Sequence, residues 1–443
     1  MQLKNILFLF SIALILCVNA CVSFENEYTI LPPGTWRAYL RLDPPVQQLD
    51  QQGKPLADPN NLSFKEVTAG ELPFTMEVTY TDDSTFYMEI INGAERIKVD
   101  HITYGRDRAT LDDTIVIDFP DFDTYIKGVF KEGIIEGKWH VNYKEDYSIP
   151  FIAKYGKGYR FTELTKAPMM DISGSWSTVF GEGDDRYNGI GEFEQDGNKL
   201  TGTFRTETGD YRYLDGTIQE NKIYLSTFDG SHAFLFEGRI QPDSTIQGIF
   251  RSGKHWQTVW EAKKDQSVQL ADINTMTYMV DEQSTFNIDM LDKDGQQINL
   301  DDPSFKGKKK IVQLMGTWCP NCKDETLFLK EYLEENPAEN LSVFGLAFEY
   351  YEPEKSLEII ERYRQTLEVP YPIYYGGNSK KAEASKKLAM LNRLIAYPTM
   401  IFLDEQNNVQ KIHTGFNGPA TSEYEAFQTE FHSFMKTFLK TNQ

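Results

Sequence analysis

The apolar pattern changes character once, near Lys264, and that break limits the chain to a β-rich region followed by a region where strands and helices alternate. Before it, from about Phe24, runs such as Thr75 to Tyr80, Ser84 to Ile90 and Lys222 to Ser226 are rich in Thr, Tyr, Phe and Val. These residues suit a pleated, half-buried surface. Asn92-Gly93, Asp196-Gly197-Asn198 and Asp229-Gly230 punctuate the runs at the close spacing of antiparallel hairpins. No long helical periodicity interrupts them.

A weak internal repeat runs through this region. Gly34-Thr35-Trp36 aligns with Gly174-Ser175-Trp176. Further on, Tyr125-Ile126-Lys127-Gly128 and Ile135-Glu136-Gly137-Lys138-Trp139 align with Leu235-Phe236-Glu237-Gly238 and Ile246-Gln247-Gly248-Ile249-Phe250. The first copy is longer by an insertion near Asp43 to Pro73, where Pro, Gln, Asp and Asn collect as in a loop. The expectation is two small antiparallel barrels or sandwiches, over residues 24–165 and 170–264, each with a tryptophan near its first strand plugging one end. Coincidental matching of short strand motifs is the alternative.

Residues 265–283 read as a linker into an α/β domain over residues 284–443. Lys310 to Met315 and Ser342 to Phe348 are short apolar runs that suit strands buried on both faces. Helices are expected at about 321–335, 353–366, 380–391 and 421–439, and strands at 371–375, 399–404 and 409–414. In the last helix Phe427, Phe431 and Phe434 share one face.

A chain of 443 residues suggests two to four domains at the usual ~100–200 residues each. Apolar residues at 40% and aromatics at 13% are enough to build their cores. A formal charge of -21 repels phosphate backbones, which sets nucleic acid aside as a partner.

At the N-terminus, Lys4 precedes an apolar run from Ile6 to Cys17 that is too short to span a bilayer, so residues 1–20 read as an export signal. Val18-Asn19-Ala20-Cys21 is similar to a bacterial lipobox, with Asn19 departing from the small residue usual there, and it marks Cys21 for lipidation. Ordinary cleavage after Ala20 is the alternative, but it would leave Cys21 as an unpaired terminal thiol. The mature chain then keeps one close pair, Cys319 and Cys322, too few cysteines for a disulfide scaffold.

Met315-Gly316-Thr317-Trp318-Cys319-Pro320-Asn321-Cys322 falls where a strand ends and a helix begins. A helix N-terminus carries partial positive charge and free amide donors, so it favours the thiolate, the nucleophilic form, at Cys319. Two intervening residues bring Cys322 to disulfide distance within the first turn.

The Trp-Cys-Pro-x-Cys motif, together with the later Tyr397-Pro398-Thr399, resembles the thioredoxin superfamily, and within it the TlpA/ResA type of membrane-anchored bacterial thiol-disulfide oxidoreductases. The resemblance covers residues 284–443 and leaves the β region unaddressed. It implies that Cys319 attacks, that Cys322 resolves the mixed disulfide, and that Pro398 is a cis-proline facing the pair. Trp318, Pro320, Asn321 and Tyr397 are then substrate-facing. Glu325 matches the family's glutamate, while Leu327 stands where a proline is usual. Glu349, after the second strand, is the expected modulator of thiol acidity.

The same resemblance favours reduction of disulfides in envelope proteins, supplied by an upstream electron donor; the exchange itself needs no cofactor, and the lipobox-like segment gives the membrane anchor through Cys21. The competing readings are weaker. A structural disulfide closing so short a ring restrains the unfolded chain by only roughly 2 kcal/mol, at a junction expected to be exposed. A metal site lacks a second ligand pair, which leaves His413 an ordinary strand residue. Peroxiredoxins carry Thr or Ser where Gly316 stands. The β region as a ligand-binding module is a further alternative. Its Asp112, Asp113, Asp184 and Asp185 read as turn and surface charges.

Overall fold

The computed structural model describes residues 30–42, 70–163, 166–281, 283–394 and 396–440. The segment expected to be an export signal, Cys21 and most of the expected insertion lie outside these residues. The first β unit contains β1 (Gly34–Arg41), β2 (Glu71–Tyr80), β3 (Phe86–Asn92), β4 (Glu95–Val99), β5 (Ile102–Arg106), β6 (Asp113–Phe119), β7 (Thr124–Lys131), β8 (Ile134–Val141) and β9 (Ser148–Tyr155). They form one antiparallel sheet in the order β4-β3-β2-β1-β9-β8-β7-β6-β5, curled but open.

The second unit contains β10 (Gly174–Phe180), β11 (Tyr187–Asp196), β12 (Lys199–Thr206), β13 (Gly209–Asp210), β14 (Leu214–Gln219), β15 (Lys222–Phe228), β16 (Ala233–Ile240), β17 (Ile246–Ser252) and β18 (Trp256–Lys264). Here β11 also pairs with β12, so the sheet closes into a barrel and removes its main edges. The interior is filled by rings, among them Trp176, Phe180, Phe204, Phe236, Phe250 and Trp260, with Phe236 and Phe250 stacked 4.3 Å apart. Side chains of this size suit the narrow interior that a small barrel encloses.

The repeat is carried by backbone geometry as well as by letters. Gly34 and Gly174 hold φ of 104° and 102°, a region open to glycine. The Nε1 of Trp36 donates to the Pro32 carbonyl at 3.0 Å, and that of Trp176 donates to the Ile172 carbonyl at 2.7 Å. Gly128 faces Gly137 across β7 and β8, as Gly238 faces Gly248 across β16 and β17. Both tryptophans are fully buried.

The units differ in how their cores are completed. Tyr224, Phe228, Ala233 and Leu235, on the outside of the second barrel, belong to the apolar cluster of the first sheet. Arg160 stitches the two together: Nε donates to Ser226 Oγ at 3.0 Å, Nη1 to the Ile91 carbonyl at 2.9 Å and Nη2 to Asn92 Oδ1 at 3.0 Å. A buried guanidinium is tolerated because its donors find partners.

The C-terminal domain contains β19 (Met290–Leu291), β20 (Gln297–Ile298), β21 (Lys309–Met315), α1 (Pro320–Glu335), β22 (Leu341–Glu349), α2 (Pro353–Thr366), β23 (Ile373–Asn378), α3 (Lys381–Lys387), β24 (Thr399–Leu403), β25 (Val409–Thr414) and α4 (Tyr424–Phe438). The sheet order is β20-β19-β23-β22-β21-β24-β25, with β21, β22 and β23 parallel. Alternate residues of β21 serve opposite layers. Ile311 and Met315 pack with Phe328, Tyr363 and Phe431 of the helices, whereas Val312 and Leu314 pack with Phe286, Leu300 and Leu388 on the other side.

Two expected elements shift most. The strand placed at 371–375 begins at Ile373, because Pro370 and Pro372 cannot donate to a ladder. The helix placed at 380–391 stops at Lys387, and Leu388 and Leu391 turn inward to pack on Met279. The linker is accordingly docked at its far end, where Val280 N donates to the Met390 carbonyl at 2.9 Å. Among the described residues no helix is long and apolar enough to cross a membrane.

Candidate active site

β21, an interior strand, delivers Gly316 to Cys319 at its C-terminal end, and Pro320 occupies the first helical position of α1, where its missing N–H costs no bond. Cys319 is the N-cap residue, and its Sγ accepts from the Cys322 amide at 3.2 Å. The two cysteines are joined as a disulfide with Cα atoms 5.2 Å apart. This is the arrangement that stabilises sulfur as an anion once the bond opens, since an amide donor and the helix dipole face Cys319 rather than Cys322. Gly316 is required for the approach: a Cβ there would lie 2.3 Å from Trp318 Nε1.

The Tyr397–Pro398 peptide is cis, and Cys319 Sγ lies 3.7 Å from the Tyr397 carbonyl oxygen. Trp318 crosses the Tyr397 ring edge-on at 5.8 Å, and its Nε1 donates to the Phe348 carbonyl at 3.0 Å. Trp318, Pro320, Asn321, Tyr397 and Pro398 therefore gather around the cysteines. Cys21 lies outside the described residues. His413, in β25, is a buried residue whose Nδ1 is 3.1 Å from Asn274 Oδ1, away from the dithiol.

Two buried carboxyls flank the motif. Glu349, at the end of β22, accepts from Thr317 N at 2.8 Å and from Thr317 Oγ1 at 3.0 Å, so it fixes the turn leading into Trp318. Desolvation pushes it up to about 8, against the two Thr317 bonds. Glu325 lies one turn beyond Cys322 on the same helical face, is fully buried, and has no hydrogen-bond partner on either carboxyl oxygen. Desolvation pushes it up to about 8 as well, with the Gln313 amide opposing. The Gln313 amide stops short of hydrogen-bond distance to Glu325 and donates instead to the Cys322 carbonyl at 3.2 Å. The α1 helix runs unbroken through Leu327, which is exposed.

The expected exposed junction is corrected by the structure. Cys319 keeps 7% of its surface and Cys322 none: both belong to an apolar cluster of the C-terminal domain, and loops of the β region close on the residues beside them. Ser231 Oγ donates to the Trp318 carbonyl at 2.9 Å, and Asn321 Nδ2 donates to the Asp210 carbonyl at 3.2 Å. Buried Arg212 contacts Asp324 in α1, Asp229 in the second β unit and Glu95 in the first. Sequence reasoning missed these residues, since in a strand-and-turn region each reads as ordinary turn chemistry.

Residues 275–427 match the Redoxin family model. Over 121 residues the chain is 29% identical to thioredoxin-like protein YneN of Bacillus subtilis (strain 168), covering 27% of this chain and 64% of that protein. It is 24% identical over 118 residues to sporulation thiol-disulfide oxidoreductase A of the same organism, again covering 27% and 64%. A solved thiol:disulfide interchange protein, a thioredoxin family protein from Chlorobium tepidum TLS, is similar at 21% identity and a TM-score of 0.27, covering 35% of this chain and 94% of that one. The chain thus spans less than two thirds of the length of the curated relatives it matches.

Proposed function

From a C-terminal domain that is thioredoxin-like, we propose that this protein is a thiol-disulfide oxidoreductase of the bacterial cell envelope that reduces disulfides of partner proteins through Cys319 and Cys322. The observation that carries the reading is the asymmetry of the pair: Cys319 caps α1, accepts the Cys322 amide and retains surface, while Cys322 is buried beneath it.

The cycle balances without a cofactor. The Cys319 thiolate attacks one sulfur of the partner disulfide, that S–S bond breaks, and the departing thiolate takes a proton. Cys322 then loses its proton and attacks Cys319 Sγ, releasing the second partner thiol. Two electrons have passed to the partner, and a dithiol donor returns the pair to its reduced form. Glu325 suits the proton transfer, because a carboxyl titrating at about 8 is matched to a thiol of ordinary acidity near 8.5.

Reduction is the favoured direction, and an equilibrium titration of the full chain against glutathione checks it. The expected potential lies below about -200 mV, toward the thioredoxin end of the range, and a value near about -120 mV would make the protein a disulfide donor instead. The anchor is read from the apolar run ending at Cys17 and from the Val18–Cys21 segment. Mass spectrometry of the mature N-terminal peptide should find Cys21 acylated, and an unmodified thiol there would remove the membrane attachment.

A further inference from the structure

The β region occupies the face on which a disulfide partner must land. Beyond the contacts of Ser231 and Asp210, the turn joining β12 to β13 is wedged against the redox domain. A Cβ on Gly209 would lie 2.6 Å from Asn321 Nδ2, and one on Gly415 would lie 2.8 Å from the Thr208 carbonyl oxygen. Asp210 Oδ2 accepts from the Gly418 amide at 2.6 Å. On the opposite side Tyr143 stacks on Tyr350 at 4.7 Å. A partner polypeptide laid beside the motif would need free backbone and side-chain groups there to pair with. Here the Trp318 carbonyl is already taken by Ser231 at 2.9 Å and the Asn321 side-chain amide by Asp210 at 3.2 Å.

The covering region is built to separate. None of the four apolar clusters among the described residues combines β-region residues with residues beyond Lys264. The seam is instead largely polar. Asp121 pairs with Lys323, Arg362 Nη2 donates to Asp123 Oδ1 at 2.9 Å, and Tyr351 Oη donates to Asp123 Oδ2 at 2.8 Å. A cleft of about 520 Å³ runs beside them, lined by Phe122, Lys323 and Thr366 among others. Residues 265–272, which join the two bodies, carry neither helix nor strand and are mostly exposed. Domain contacts of this kind open readily, unlike large apolar ones.

We propose that the β region is a size-selective cover: closed, it admits small thiols and disulfides to Cys319 and excludes polypeptide disulfides, and the ion pairs along its seam set how often it opens. The proposal rests on the redox reading of Cys319 and Cys322. It adds that this chain's protein substrates reach the dithiol only after the redox domain swings clear of Asp210, Ser231 and Arg212.

The test uses the reduced full chain and two probes of one chemistry, N-ethylmaleimide and a polyethylene glycol maleimide of protein size. Each is followed on the Cys319 peptide, and each rate is divided by its rate on the unfolded chain. In the wild type the large probe should lag the small one by at least ~10-fold, the shift that a cover closed nine-tenths of the time imposes. In Asp121→Asn combined with Arg362→Gln the lag should shrink to within ~3-fold, as seam pairs are lost. Turnover of a polypeptide disulfide should rise several-fold in that variant while turnover of hydroxyethyl disulfide stays unchanged. Equal probe rates in the wild type, or a lag the variant does not alter, overturns the cover. If the double variant does not fold, either single substitution supplies the same comparison. If the lag behaves as expected and neither disulfide is turned over, the redox reading fails while the cover stands.

Discussion

Cys322→Ser should stall the reaction halfway and accumulate covalent adducts between Cys319 and disulfide-bearing partners, while Cys319→Ser yields no adduct and loses at least ~1000-fold in disulfide turnover, as removal of a nucleophile does. The asymmetry follows from the capping geometry. Only Cys319 combines residual surface with the Cys322 amide and the helix dipole, so only it can begin the exchange. Serine at position 322 keeps the size of the buried side chain but cannot attack a mixed disulfide. Non-reducing electrophoresis followed by peptide mapping reads the outcome directly. Adducts that accumulate in Cys319→Ser and map to Cys322 would reverse the assigned roles.

The second large effect concerns Glu325, where stability and activity should move in opposite directions. Its folded-state titration at about 8 lies above the ordinary carboxyl value of 4.5, so the folded protein holds a proton that the unfolded chain has already released. Folding is therefore strongest below about pH 4.5 as far as this group is concerned, and its contribution is lost as pH rises toward 8. A shift of that size corresponds to roughly 4 kcal/mol at about pH 8, as an order of magnitude. Glu325→Gln should remove this slope and make the protein more stable at pH 8 in denaturant titrations. It should also slow release of the second thiol by ~100-fold, since Cys322 loses its proton acceptor. Loss of both stability and activity would mark Glu325 as a packing residue. Glu349, held near the same value but bonded twice by Thr317, keeps part of the slope in that variant.

Local chemistry made much of the redox domain legible. The β-branched run of β21, the proline at the first position of α1 and the four-residue turn before β25 each announce a boundary without help from distant residues. The placement of Cys319 and Cys322 at the strand-to-helix junction followed from the same signals. The repeat was also visible through Trp36 and Trp176, whose surroundings the structure shows to be equivalent down to the carbonyl each indole reaches.

What stayed hidden lies across long separations. That the first sheet remains open depends on Phe228 and Leu235, which in sequence look like any strand interior. That the dithiol is covered depends on Asp210, Arg212 and Ser231, roughly a hundred residues from the motif they touch and carrying no periodicity of their own. The α3 helix ends early because Leu388 and Leu391 prefer burial against Met279 to another helical turn, a tertiary choice that propensity does not record.

The shared core of the two β units has a consequence for biogenesis. The first sheet leaves the ribosome with its concave side unfilled, and the aromatic side chain that fills it, Phe228, is made only after β9 is complete and most of the second unit has followed. At elongation rates of about 5–20 residues per second, that interval lasts several seconds. During it the nascent chain carries an uncovered greasy hollow and two unpaired strand edges, the features that expose a chain to aggregation, before the C-terminal domain has been made.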